Sequence, residues 1–395
     1  MGVHVMALTS SGGLPLFSRH KGNTEPLSFS MVASLNGVNM FCNNHNITLH
    51  STLTQDSTVV WKDYENSLTL VAVASTTNEA LIRELLDIIF NAMVLTVGID
   101  ELKSIRNVER LKRELRSCFP LIDKLLDCLD LGDRTAALFQ LLPLVEVILC
   151  EENLIFQTCL DNFSESLDSL FACVVLEGCV AVATPGWWEL DSTERKLLAL
   201  INAITTNTSA NDIPVFLPCK SPSVPFRLIS ICLTTGVWVL ALCGPTPDLC
   251  TIEQAAVKLW KPSIESLKIA LQVYPRNIPS FLQIHQCILG FVLISCEMKK
   301  FIISYSNSVH KKDSRSPADI LRTFYCQCAS NLMKQDLKHQ AVETYWCSEY
   351  HKLHALRSGK NLLCALYTSA VPTHSMRTIT KGTLNTLVSD KILCW

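Results

Sequence analysis

MVASLNGVNMF (31–41), TVVWKDYENSLTLVAVAS (58–75) and AMVLTVGIDELKSIRNVERLKRELRSCFPLID (92–123) stand in that order in the first third of the chain. The first predicts a short helix with small residues, Ala33 and Gly37, on one side, where another backbone could approach closely. The second predicts a β-hairpin with apolar/polar alternation: Val59, Val60 and Trp61, a polar KDYEN turn, then Leu68 to Ala74. Ahead of the third, Thr76, Thr77, Asn78 and Glu79 read as a capping box. Leu81, Leu85, Ile88, Ala92 and Leu95 then recur at helical spacing until Gly98 ends the helix. A second helix is expected over 101–118, with Leu102, Ile105, Val108, Leu111 and Leu115 inward. Helix, hairpin and helices of this length build a small sandwich, one sheet covered by helices.

The plan recurs outward from this stretch. First hairpins are expected at 3–19 around Ser10-Ser11-Gly12-Gly13, at 170–184 around Glu177-Gly178, and at 290–306 around a charged EMKK turn. Each is followed by a helical stretch, then by a second strand pair starting near Val59, Arg227 or Val342, 52–57 residues after the first. One strand-strand-helix-strand-strand-helix unit used three times is an internal repeat at fold level. The expected class is therefore α/β (α+β), in three domains over 1–130, 138–272 and 281–395. Asp191-Ser192-Thr193-Glu194 should open a helix carrying Leu197, Leu198, Ile201 and Ile204, and Pro262 should break one over 251–271. Residues 138–170 are expected to be helical with an interruption at Pro143, and 319–337 and 377–392 supply the helices of the third unit. Residues 306–316 read as a polar connection.

The chain has 395 residues and a net charge of −2, so no global field draws it to nucleic acid or membrane, and no nucleic-acid partner is expected. Charged residues make up 18% and apolar ones 48%, against about 25% charged in an average soluble protein. That surplus asks either for unusually large cores or for surface permanently covered by a partner. Eighteen cysteines are scattered without a CxxC pair. Residues 1–13 lack the basic and apolar regions of a signal peptide, so buried free thiols in a reducing cytoplasm are expected. The longest uncharged run, 228–247, is divided by Thr234-Thr235-Gly236, which predicts two buried strands and a tight turn rather than a membrane helix.

No catalytic motif is legible, and no catalytic residue or cofactor is expected. Gly359-Lys360-Asn361 lacks the earlier glycine and the following Ser or Thr of a phosphate-binding loop, and GxSxG and HExxH do not occur. Cys347, His351 and His354, with Cys326 and Cys328 upstream, are residue types that bind metal. WCSEYHKLHAL (346–356) alternates like a strand, which would put Cys347 and His351 on one face and His354 on the other, so no metal site is expected. The helix over 101–118 carries Lys103, Arg106, Arg110, Lys112, Arg113 and Arg116, only partly neutralised by Glu101, Glu109 and Glu114. It is either a solvated face stitched by i,i+4 pairs or a contact for anionic lipid head groups or an acidic partner. Ser34, Leu35, Asn36, Gly37, Asn39 and Met40 form the other candidate: either Gly37 lets their helix lie flat on its own sheet, or the helix docks a partner.

SLNGVNMF (34–41), TVVWK (58–62), IRNVERLK (105–112) and LID (121–123), with ATPGWWEL (183–190), VPFRL (224–228) and CGPTPDL (243–249), resemble the Fuzzy family of planar cell polarity effectors. The match is dense to about residue 271 and thin after about 281. The resemblance implies three longin/roadblock-like domains, each an antiparallel sheet covered by helices. It implies a non-catalytic scaffold subunit of the CPLANE assembly, at the cilium base and its cytoskeleton, serving cilium formation and planar polarity. The implied partners are an Inturned-like longin protein and a Wdpcp-like propeller protein. In longin-type exchange factors two such domains pair into a platform for a Rab-type small GTPase, so half of such a factor is the implied role. Recruiting an active GTPase and membrane without exchange would need the same platform, while a small-molecule enzyme has no visible site here. Any contact with an anionic phospholipid surface would fall on the basic helix.

Overall fold

The computed structural model describes residues 2–22, 25–75, 79–127, 141–205, 208–305, 316–333 and 342–389. The chain divides into two units, Met1–Leu138 with Pro214–Phe226, and Phe139–Ile213 with Arg227–Trp395.

In the first unit, β1 (Gly2–Thr9) and β2 (Pro15–Gly22) form the expected first hairpin. After α1 (Phe29–Asn44) comes β3 (Ser51–Leu53), a short edge strand that periodicity did not show, then the hairpin of β4 (Thr58–Tyr64) and β5 (Leu68–Ala74). The sheet runs β2-β1-β5-β4-β3, antiparallel throughout. Ser67 N–H donates to the Tyr64 carbonyl (3.1 Å) across Glu65 and Asn66, whose φ values of 53° and 55° give the mirror-image turn that suits strand twist. Met6, Leu8, Val59, Trp61 and Val71 pack under Val32 and Leu35 of α1. The opposite face takes α2 (Glu79–Val97), where Tyr64 stacks on Phe90 with ring centroids 4.3 Å apart. Leu85, Ile88, Ala92 and Leu95 are buried as their spacing requires, and the three residues expected to cap this helix lie outside the described residues.

Gly98 follows α2 with φ 87°, and a Cβ there would stand 3.1 Å from the Phe216 ring, so both backbone and space call for glycine. The single helix expected over 101–118 is in fact two. α3 (Ile99–Lys103) ends, and α4 (Val108–Glu114) starts afresh on Asn107, whose Oδ1 accepts the Arg110 N–H at 3.0 Å. An asparagine able to cap therefore splits an otherwise continuous amphipathic run. A 3₁₀ turn leads into α5 (Phe119–Asp127), which ion pairs Arg19–Asp123 and Lys21–Asp127 tie to β2.

The second unit opens on the largest departure from expectation. Residues 141–150 are not helical: β6 (Val145–Glu146) lies parallel on the third sheet, and Val147 bridges to Val180 of the second. Residues 138–140 of that expectation lie outside the described residues, and over 141–170 only α6 (Asn153–Ser166) is helix. A short buried apolar run such as LLPLVEVILC (141–150) cannot be told from helix by periodicity, and here two sheet edges claim it. β7 (Phe171–Leu176) and β8 (Cys179–Ala183) turn at Glu177-Gly178 as expected. α7 (Pro185–Glu189) precedes α8 (Ser192–Ile204), which opens on a capping box of Asp191 and Glu194. β9 (Ala210–Leu217), β10 (Ser221–Thr234) and β11 (Val237–Cys243) complete a sheet ordered β8-β7-β11-β10-β9, and Gly236 (φ 83°) makes the turn expected within 228–247. α9 (Leu249–Trp260) and α10 (Ile264–Leu271) are parted at Pro262. Phe156, Leu160 and Phe163 of α6 share a core with Ile252, Ala256 and Trp260 of α9.

The third repeat is β12 (Ile288–Ser295), β13 (Lys300–Tyr305), α11 (Pro317–Gln327), β14 (Glu343–Cys347), β15 (His351–Ser358), β16 (Asn361–Thr368) and α12 (Thr373–Ser389). Its sheet order is β14-β15-β16-β12-β13-β6. α11 ends in a 3₁₀ turn at Ala329–Met333; residues 306–315, 334–337 and 390–392 of the expected connection and helices lie outside the described residues. Among the described residues no helix is long and apolar enough to cross a membrane.

Candidate docking surfaces

Each repeat sets a helix of three turns or more between its first hairpin and its next strand: α1, α8 and α11. The three share a topological position and differ in what covers them. α8 buries eight of its thirteen residues, Glu194, Arg195 and Lys196 among them. α11 buries Leu321, Arg322, Phe324, Tyr325 and Cys326. α1, sixteen residues long, buries Asn39 alone.

What covers α8 is this chain. Arg195 Nη2 donates to the Met298 carbonyl at 2.9 Å, and its guanidinium lies 5.3 Å over the Trp188 ring. Lys300 Nζ sits 5.0 Å over the same ring, so one indole serves two cations. Beside it Glu146 accepts from Asn277 Nδ2 at 3.1 Å. Burial pushes the Glu146 carboxyl up to about 7, opposed by the nearby Lys196 ammonium and by bonds from Cys179 and Asn277.

α1 has the reverse character. Ser28 caps it, its hydroxyl accepting the Met31 N–H at 3.4 Å, and FSMVASLNGVNMFCNN contains no charged residue. Leu35 and Val32 face the sheet, and Trp61 Nε1 donates to the Leu35 carbonyl at 3.3 Å. On the outer side Phe29 (81% exposed), Ala33, Gly37 and Phe41 (64%) recur every four residues, a stripe with small residues between two phenyl rings. Met31 and Val38 are exposed beside it, and Ile47 and Leu53 extend the apolar surface beyond the helix. A Cβ at Gly37 would meet nothing within 4 Å, so this glycine is not what brings α1 onto its own sheet.

The residues singled out from sequence divide accordingly. Ser34, Gly37 and Met40 are exposed; Asn36 is half-buried with Nδ2 3.4 Å from Met40 Sδ; Leu35 turns inward and Asn39 is buried. Phe29, Met31 and Phe41 were not singled out. Their signal was the sixteen-residue run without charge, which no single motif marks.

On α3 and α4 the cations also divide. Arg110 pairs with Glu114 (2.8 Å) and Glu101 (3.8 Å), Lys112 with Glu109 (2.8 Å) and Lys103 with Glu65 (3.4 Å). Arg106, Arg113 and Arg116 are exposed and make no ion pair among the described residues.

Among the described residues no group of three metal-binding side chains comes together. The expected face assignment of 347–354 is inverted, because a turn at 348–350 separates β14 from β15. Cys347 pairs with Lys352 and Tyr345 with His354, so Cys347 and His354 share a face and His351 takes the other. Buried His354 sets Nδ1 2.8 Å from Thr380 Oγ1 and Nε2 3.5 Å from Glu343; burial lowers its pKa against the pull of that carboxylate. Cys326 is buried on α11.

Three family models match the chain: the first longin domain of FUZ, MON1 and HPS1 over residues 3–125, the second over 167–261 and the third over 287–391. Protein fuzzy homolog of Xenopus tropicalis is 35% identical over 419 residues, spanning 98% of both chains. The Rattus norvegicus protein of that name is 35% identical over 409 residues and the Homo sapiens one 34% over 412, each across 98% of this chain and 97% of the relative.

Proposed function

The chain belongs to the Fuzzy family of triple-longin proteins, and on that premise we propose that it is a non-catalytic scaffold whose first domain docks other proteins through α1. The partner is an Inturned-like longin protein, and the pair forms a platform for a Rab-type small GTPase. With a Wdpcp-like propeller protein they make up the CPLANE assembly, acting at the cilium base in cilium formation and planar polarity. One observation carries this reading: of three equivalent helices, α8 and α11 are buried while α1 leaves uncharged, apolar surface open.

Nucleotide exchange on such a platform needs no covalent chemistry. The pair binds the nucleotide-free GTPase more tightly than the loaded one, and that difference drives release. The exposed arginines Arg106, Arg113 and Arg116 give the same domain a contact for an anionic phospholipid surface.

The test is to co-purify the chain with the Inturned-like partner and time the release of labelled nucleotide from Rab-type GTPases. Acceleration that is lost in Phe41→Arg, with the fold intact, supports the platform. GTPase binding without any acceleration would reduce the function to recruitment, and unchanged partner binding in both Phe29→Arg and Phe41→Arg would remove α1 from the interface.

A further inference from the structure

The outer edge of the third sheet is built differently from a protected edge. β14 pairs with β15 over its whole length, and among the described residues no strand lies beyond it. At the two ends of this ladder Arg357 N–H donates to the Val342 carbonyl (2.7 Å) and Ser348 N–H to the His351 carbonyl (3.0 Å). Hydrogen-bonded and non-hydrogen-bonded pairs alternate in an antiparallel ladder. Thr344 and Trp346 therefore turn their backbone groups inward to β15, and Glu343, Tyr345 and Cys347 turn theirs outward. Edge strands usually guard such groups with lysine, proline or a bulge. Tyr345 (63% exposed), Trp346 and Cys347 offer aromatic and thiol side chains instead, with Tyr350 exposed beyond them.

A cavity of about 190 Å³ opens beside this edge, between Ile320 and Thr323 of α11 and Trp346, Tyr350 and Leu353. That is less than the roughly 300–1,000 Å³ of small-molecule pockets, and suits one side chain. Trp346 stands opposite Leu353 on the α11 face, and Tyr345 opposite His354 on the α12 face. A strand laid along β14 would thus place alternate side chains in the cavity and along Tyr345. The opposite edge of the same sheet already takes a strand from outside its repeat, β6 on β13.

We propose that β14 is a docking edge for an extended peptide segment of a partner protein, which adds a strand to the third sheet and seats a bulky apolar side chain against Trp346 and Leu353. Backbone bonds to Glu343, Tyr345 and Cys347 hold the strand, and the cavity selects its residue. This surface is separate from α1, so it stands or falls without the platform.

A phage-displayed library of 12-residue peptides, selected on the full chain, supplies the probe. Recovered peptides are then measured by fluorescence polarisation and by hydrogen–deuterium exchange of the complex. They are expected to carry apolar residues at alternate positions and to slow exchange at Tyr345 and Cys347. Tyr345→Pro should lower affinity tenfold or more while the domain stays folded, because the lost N–H faces outward and edge strands tolerate such a proline. Trp346→Ala should also weaken binding about tenfold. Failure to recover any alternating peptide, equal affinity for Tyr345→Pro, or unchanged exchange at Tyr345 and Cys347 would each overturn the proposal. A concentration-dependent dimer of the chain that Tyr345→Pro abolishes would overturn it too, by giving the edge to a second copy.

Discussion

Gly37 separates what α1 owes its own fold from what it offers a partner. A glycine inside a helix costs about 0.5–1 kcal/mol relative to alanine, through the greater freedom of the unfolded chain. A Cβ at Gly37 meets nothing within 4 Å, so Gly37→Ala should recover that cost and raise stability by about 0.5–1 kcal/mol in urea unfolding. Gly37→Trp has the same open space in the isolated chain and should fold as well as the parent. In the proposed complex its indole would stand among Phe29, Ala33 and Phe41, exposed residues on which that proposal seats the partner backbone. Overpacking costs about 1–3 kcal/mol, and here that falls on the interface instead of the core. A loss of about 1.4 kcal/mol is tenfold in rate, so nucleotide release by the Gly37→Trp complex should slow by about tenfold. The assay is fluorescence decay of labelled nucleotide on the GTPase, alongside quantitative pull-down of the longin partner. If Gly37→Ala destabilises the domain, something already packs on that stripe. If Gly37→Trp releases nucleotide at the parent rate, the stripe is not the platform.

Replacing Arg106, Arg113 and Arg116 by Glu should weaken co-sedimentation with phosphatidylserine vesicles by about 1 kcal/mol per residue, more at low salt, whereas Arg110→Ala should change it little because Glu114 and Glu101 already hold that guanidinium. Asp191→Ala removes the side chain that accepts the Thr193 N–H at 2.8 Å at the start of α8, and should cost about 1 kcal/mol in denaturant unfolding. Glu146 gives a pH test: its folded pKa of about 7 lies above the ordinary 4.5, so the folded state binds the extra proton and stability falls as pH rises from about 4.5 to 7. Urea midpoints at pH 5 and pH 7.5 should differ less in Glu146→Gln than in the parent, and an equal difference would mean that this carboxyl does not titrate with folding.

Elements with a local signal were legible in the sequence. The hairpins at Glu65-Asn66, Glu177-Gly178 and Gly236 carry their own turn chemistry, and α8 carries its capping box. Elements whose state depends on distant edges were not. β6 is a strand because β13 lies beside it, and β3 is three residues long, too short for an alternation to register. Asn107 shows the opposite failure, a local cap overlooked inside a convincing periodic run. At the candidate surface the small residues Ala33 and Gly37 could be picked out, while Leu35 and Asn39 face inward for reasons only the sheet supplies. The inverted faces of Cys347 and His354 follow from a turn that alternation alone cannot place.

Burial rules read on α1 and α8 separately would sort the two helices the wrong way round. STERKLLALINAI carries glutamate, arginine and lysine and is the buried one; FSMVASLNGVNMFCNN carries no charge and is the exposed one. Charges survive inside the second unit because Trp188, the Met298 carbonyl and Glu146 are there to receive them. Among the described residues of their own domain, the large apolar side chains on α1 have no such reception. Each forgoes part of the about 1.5–3 kcal/mol that full burial of such a side chain would contribute. Phe29, Met31, Val38 and Phe41 hold that free energy in reserve together, on one helix, in a chain whose composition is poor in charge. The helix position is covered in two repeats and open in one, and that open surface is what the proposed pairing with a second longin domain would bury.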